Sequence, residues 1–288
     1  MKIVLAGDVG PEVGLGHQRR LEAIATVLRE SGHSAAVITT DAPSSTDADL
    51  LVVDSYVTRA DDVTRYDAPL IAAIDELGRD LAVDVVIDPT PGAAAHRGAR
   101  ARRAFAGAAY AIVGSEFGAP PRPPRPRVER VLVTLGASRA GTPAPTLAAE
   151  IAVRLPALRV VLAVGPWLES VAVDGVELVH APDGLGELIR DSDIVVTAGG
   201  VTLLEACASA RPTVTIPVAE NQQRAVEFLV GVGATRREKL ERAPDVVGEL
   251  VRDHEARERL GRAARRTIDG AGAMRVAGAL IELAENGR

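Results

Sequence analysis

Cysteine is nearly missing from this chain. Cys207 is the single one in 288 residues, so no disulfide framework can form within it, and a reducing, intracellular setting is expected. Aromatic side chains are scarce at 2%. A site that grips single-stranded nucleic acid by stacking bases on rings would have little to build with. An excess of basic charge is absent too: the net charge is −6, which argues against a general nucleic-acid binder. Two arginine-rich stretches, Arg97 to Arg103 and Arg257 to Arg266, read as solvated helix faces. No apolar run approaches the roughly 18 residues of a spanning helix. Met1 leads into strand-like residues rather than a basic and apolar leader. A soluble, cytoplasmic chain without stable membrane insertion is therefore expected.

What is present is a globular composition, 47% hydrophobic and 25% charged, in a chain long enough for two domains. Short β-branched runs alternate with helical patterns, the signature of βαβ units around parallel sheets. In the first half, strands are expected at Ile3–Ala6, Ala36–Thr39, Leu50–Val53, Leu70–Ile74, Val85–Ile87 and Ala111–Val113. Leu21, Ile24, Ala25 and Leu28 recur at helical spacing, and Gly32 can end that helix. The segment from Gly118 to Pro126 holds five prolines and reads as an extended, semi-rigid connection. It sets expected domains at 1–126 and 127–288.

A second βα series follows. Strands are expected at Arg130–Leu135, Val160–Val164, Val176–Val179, Ile194–Thr197 and Thr213–Ile216. Helices are expected at Pro145–Leu155, Leu185–Arg190 and Leu203–Ala210, then from Gln222, from Asp245 and near Met274–Glu285. The fold class is α/β, with two Rossmann-like domains across a cleft and the last helix packing back on the first domain. Ligands in such sheets sit beyond the carboxyl ends of the strands.

Three glycine-containing loops follow expected strands. The first is Gly14-Leu15-Gly16-His17. It differs from a dinucleotide fingerprint because Arg19 stands where the third glycine belongs and the loop is too long, although Asp41 follows the second strand as that motif requires. His17 falls in the first helical turn, where the helix dipole opposes imidazolium and favours the neutral, base-competent ring. It serves either as a base or as a capping or packing residue. The second loop, Gly136-Ala137-Ser138, offers backbone N–H groups to a diphosphate, or is a plain turn. The third, Gly199-Gly200-Val201-Thr202, opens a helix N-terminus suited to phosphate.

Thr202 and Glu205 also match a capping box; Glu205 otherwise reaches ribose hydroxyls. Asn221 is a helix N-cap or a ligand donor. Asp54-Ser55-Tyr56 and Asp75-Glu76 sit at strand ends, where they either orient a histidine, hold sugar hydroxyls or build turns. The histidines (His17, His33, His96, His180, His254) lack paired ligand spacing, so no metal site and no cofactor are expected. Neither a Walker A sequence nor a nucleophile elbow is present.

The ordered set Gly14-x-Gly16-His17-x-x-Arg20, Asp54-Ser55-Tyr56, Asp75-Glu76-Leu77, Gly136-Ala137-Ser138, Gly199-Gly200-Val201-Thr202-x-x-Glu205 and Glu220-Asn221-Gln222 resembles the UDP-sugar hydrolases of pseudaminic acid biosynthesis. It also resembles the related spore-coat polysaccharide proteins. Both are similar to glycosyltransferases of the GT-B type. The resemblance spans nearly the whole chain and implies a nucleotide-diphosphate sugar as substrate, held mainly by the second domain. By that resemblance His17 is the general base against water. Gly16 shapes the diphosphate and sugar end, and Gly199, Gly200 and Thr202 meet the diphosphate. Glu205 meets the ribose, and Asn221 and Gln222 the phosphates or sugar. Gly14, Arg20, Tyr56, Asp75, Gly136 and Ser138 complete the expected substrate-binding set. Transfer to a small-molecule or glycan acceptor, and binding without turnover, are the alternatives. The chain departs from the family where Asp-His-Tyr reads Asp54-Ser55-Tyr56, where Gly-Gly-Ser-Asp reads Gly136-Ala137-Ser138-Arg139, and where an Asn is Asp88.

Overall fold

Alternating β-branched and amphipathic stretches produce, in the computed structural model, two six-stranded parallel sheets. The structure describes residues 1–40, 47–56, 68–96, 101–139, 142–169 and 172–286; Asp41 and Arg97 lie outside them. The chain divides into two compact units, one of Met1–Val9, Leu15–Ser115 and Gly270–Arg288, the other of Gly10–Gly14 and Glu116–Asp269.

In the first unit, β1 (Lys2–Gly7), β2 (Ser34–Thr39), β3 (Leu50–Asp54), β4 (Ile71–Ile74), β5 (Val85–Asp88) and β6 (Arg103–Ala106) lie in the order β2-β1-β3-β4-β5-β6. Helix α1 (Gly16–Glu30) buries Leu21, Ile24, Ala25 and Leu28 completely. Those side chains join Ile3, Leu5, Leu50 and Ile87 in one core. The expected strand at Ala111–Val113 is not one. That run is buried because Ile112 packs into the same core, and the edge position beside β5 is taken by β6.

The C-terminal helix, α8 (Gly272–Asn286), belongs to this first unit and buries Val276 and Leu280 in its core. Its start fits only because residue 272 lacks a side chain: a Cβ there would lie 2.0 Å from the Ala111 carbonyl oxygen.

In the second unit, β7 (Arg130–Thr134), β8 (Arg159–Val164), β9 (Val176–His180), β10 (Ile194–Thr197), β11 (Thr213–Thr215) and β12 (Arg236–Arg237) take the order β12-β11-β10-β7-β8-β9. The helices are α2 (Ala144–Arg154), α3 (Gly186–Asp191), α4 (Val201–Ala208), α5 (Gln223–Gly231), α6 (Ala243–Arg252) and α7 (His254–Thr267). The single helix expected from Asp245 is two, because Asp253 ends α6 and caps α7 by accepting the Ala256 amide at 2.8 Å.

The units divide at Ser115/Glu116 rather than at residue 126. Arginines fasten the proline-rich segment to the second unit, so it is not a bare connection. Arg257 donates to the Pro126 carbonyl at 2.7 Å, Arg211 donates to the Arg122 carbonyl at 3.0 Å, and Arg122 pairs with Asp191. Arg257, read as part of a solvated face, is therefore buried.

Candidate functional site

In an open parallel sheet, the crevice for a ligand lies where the strand order reverses. In the first unit that switch falls between β1 and β3. Asp8 follows β1, Asp54 closes β3, and α1 begins at Gly16. His17 and Arg20 are thus one turn apart on one helix face at this switch.

His17 is buried, 3% exposed. Its Nδ1 lies 2.9 Å from the backbone oxygen of Asp54. A carbonyl only accepts, so Nδ1 holds the ring proton and Nε2 of the neutral ring carries the lone pair. Nε2 is buried and has no hydrogen-bond partner among the described residues. The Tyr56 ring stands edge-on to the imidazole, 4.4 Å between centroids and 88° between planes. Asp8 Oδ2 and Asp54 Oδ1 lie 3.9 and 3.7 Å from Nδ1. They are too distant for hydrogen bonds, yet close enough to offset a positive charge on the ring.

Arg20 was expected to touch substrate, and its geometry gives it another task. Its Nε and Nη2 donate to the two Asp54 carboxylate oxygens at 2.9 and 2.8 Å, and its Nη1 lies 2.7 Å from Glu76 Oε1. Burial lowers its pKa, but the Asp54 and Glu76 carboxylates outweigh that and hold the guanidinium well above its ordinary range. Burial opposes ionisation of Glu76, and Arg20 overcomes it, so the Glu76 pKa is lowered. The Tyr56 hydroxyl donates to Glu76, and burial followed by that carboxylate pushes its pKa up. One guanidinium thus ties the ends of two neighbouring strands together beside His17.

Asp75 builds a turn, accepting from the Arg79 amide at 2.6 Å and from Arg79 Nε at 2.7 Å. Asp8 was not among the residues picked out from the sequence. It accepts the Thr40 hydroxyl at 2.6 Å and the Tyr56 amide at 3.2 Å. Its place directly after the first strand, like that of Asp54 after the third, was the available signal.

In the second unit the order reverses between β7 and β10. The loops that leave these strands are Leu135–Ser138 and Ala198–Gly200, and β11 beside β10 leads on to Glu220–Gln222. These loops of the second unit therefore share one sheet edge, whereas the Gly14–His17 loop chosen from the sequence is divided between the units. Gln222 Oε1 accepts both the Gly199 amide and the Val218 amide, each at 3.0 Å. Residue 199 must be glycine, since a Cβ would lie 2.7 Å from Val226 Cγ2 and 2.8 Å from Gln222 Cβ. Gly14 joins this edge: a Cβ on it would lie 3.3 Å from the Ser138 nitrogen. The Arg139 amide donates to the Pro11 carbonyl at 2.8 Å. Gly16 instead opens α1 in the first unit.

Two expected caps do not form. Exposed Gly200 is the N-cap of α4, with no side-chain cap, so Thr202 lies inside the helix and no capping box exists. Asn221 lies within a 3₁₀ turn, Glu220–Gln222, and Gln222 occupies the N-cap position of α5. The first amides of α4 are consequently uncovered by any capping side chain, an arrangement suited to an anion. Thr202 is half-buried and Glu205 buried on this helix. Among the described residues no group of His, Cys, Asp and Glu is placed to hold a metal ion, and no helix is long and apolar enough to cross a membrane.

Comparison of the sequence with protein-family models and with curated proteins gives no match. Comparison of the structure does. The spinosyn forosaminyltransferase SpnP aligns at a TM-score of 0.67 with 16% identity, covering 99% of both chains. The spinosyn rhamnosyltransferase SpnG, complexed with thymidine diphosphate, aligns at 0.65 with 18% identity over 99% of this chain and 100% of its own. MurG from Acinetobacter baumannii aligns at 0.56 with 12% identity over 98% and 100%. The chain thus has the two-sheet α/β fold of the GT-B glycosyltransferases.

Proposed function

We propose that this chain is an enzyme that breaks the anomeric C–O bond of a nucleotide-diphosphate sugar and passes the sugar to an acceptor hydroxyl or amine. The observation that carries the reading is the tautomer of His17, whose Nδ1 is fixed on the Asp54 carbonyl while Nε2 is left with a lone pair and no partner among the described residues. Nε2 takes the proton of the nucleophile as its bond to the anomeric carbon forms and the bond to the diphosphate oxygen breaks. Asp8 and Asp54 offset the charge gained by the ring. The departing diphosphate gathers its charge at the α4 amides and the Gly136–Ser138 loop of the second unit.

Fold likeness to sugar-transferring enzymes supports transfer over the hydrolysis implied by the sequence resemblance. Hydrolysis is the second reading, and the enclosure of His17 favours it, since water needs little room. Purified protein incubated with UDP- and thymidine-diphosphate sugars separates them. Nucleotide release that depends on an added acceptor supports transfer, and release without one supports hydrolysis. His17→Gln is expected to lower kcat by about 10²–10⁴-fold with nucleotide affinity unchanged. If the variant keeps full turnover, or if neither protein turns over any sugar nucleotide, the catalytic reading fails.

A further inference from the structure

The second unit carries a cavity of about 640 Å³ whose lining includes Arg236, Arg259, Arg262 and Arg266, with Asp253 as its one acidic member. Four guanidinium groups thus face one hollow, and one of them, Arg236, pairs with Glu249 at 2.8 Å and lies 3.8 Å from Glu238. The position separates it from the loops described above. Val232 and Gly233, also in the lining, lie on the stretch that leads into β12, two residues short of its start. Because the sheet is parallel, they lie at the edge opposite the loops that leave β7 and β10.

Asp253 is engaged at the N-terminus of α7 by the Ala256 amide, which absorbs part of its charge. Arg259 and Arg262 meet Glu255 and Glu258 at 3.6 and 3.0 Å along the same helix. Such exposed pairs are weak and readily exchanged. Arg266 has no carboxylate partner among the described residues. Leu260 gives the hollow an apolar wall. Its volume falls in the range of small-molecule sites. Arg262 and Arg266 also line a second hollow of about 430 Å³ on the proline-rich segment, so two cavities draw on the same pair of cations.

We propose that this cavity is a second ligand site that takes a soluble small molecule carrying at least two phosphate charges. Guanidinium forks match phosphate oxygens in pairs, and the apolar wall accommodates the body of the ligand. The site is independent of sugar-nucleotide turnover, so its test stands or falls apart from that reading.

The probe is inorganic tripolyphosphate, titrated calorimetrically into the full chain at low ionic strength, where such binding is strongest. Arg262→Ser/Arg266→Ser changes two exposed side chains and is compared with Asn221→Glu on the opposite edge. The double variant is expected to bind roughly tenfold or more weakly, with Asn221→Glu affecting affinity less than the double variant does. Lack of saturable binding to the unaltered chain, a smaller effect of the double variant, or a larger effect of Asn221→Glu overturns the assignment. Co-sedimentation with phosphatidylglycerol vesicles that needs the same arginines, in the absence of tripolyphosphate binding, overturns the soluble ligand in favour of a lipid headgroup.

Discussion

Arg20 is the residue on which the first half of the candidate site turns. Asp54 presents its carbonyl to His17 and its carboxylate to Arg20, so a force on the guanidinium is transmitted to the imidazole through one residue. Arg20→Met leaves buried Asp54 and half-buried Glu76 without their cation, and chemical denaturation is expected to show a loss of about 3–5 kcal/mol. The pH dependence follows from Glu76. Its folded pKa is depressed, so its contribution is present above the unfolded value of about 4.3 and is lost as pH falls through the folded one. Acid unfolding of Glu76→Gln is expected to be less steep below about pH 4.3 than that of the unaltered chain. His17 and Asp54 were legible because glycines before a helix start and a carboxylate at a strand end are both local patterns. The task of Arg20 was not, since its partners come from residues 54 and 76 and nothing nearby in the sequence announces them.

At the scale of elements, strands announced themselves wherever a β-branched run was buried on both faces, as in β3 and β10. Ala111–Val113 has the same composition and burial, yet its cover is packed side chains rather than a strand partner. Sequence period does not separate these cases. β6 was missed for the converse reason: Arg103–Ala106 is short, partly exposed and has little β-branching. The glycine loops were legible as loops, whereas what joins them was not. Gln222 looked like a ligand contact, but its side-chain oxygen holds two backbone amides in different loops. Gln222→Ala strips the acceptor from both, at about 1–3 kcal/mol. Nucleotide affinity, measured by titration, is expected to fall with it. Gly272→Ala drives a methyl group into the Ala111 carbonyl. It is expected to lower the thermal midpoint through a loss of about 1–3 kcal/mol.

For the molecule as a whole, the chain begins in the first unit, builds the second and returns to finish the first with α8. The Gly14-to-Arg20 stretch is likewise divided, Gly14 counting with the second unit and Leu15 onward with the first. Sequence order therefore understates how far each unit depends on remote segments. The last helix is the clearest case, because Val276 and Leu280 are 1% and 0% exposed in the core built by β1, β3 and α1. Burying a side chain of this kind is worth roughly 1.5–3 kcal/mol, and a whole domain is stable by only about 5–15 kcal/mol. A chain ended at Asp269 thus loses much of the margin of the first unit, while every residue of the second unit remains. Calorimetry of that truncated chain is expected to show the first unit's transition lowered or absent. The second unit should keep its own transition and its upward shift with UDP or thymidine diphosphate, because ligand binding stabilises whichever unit holds the site. Loss of the nucleotide-dependent shift on truncation would instead place essential nucleotide contacts in the first unit, and the assignment of the diphosphate to the loops after β7 and β10 would fall.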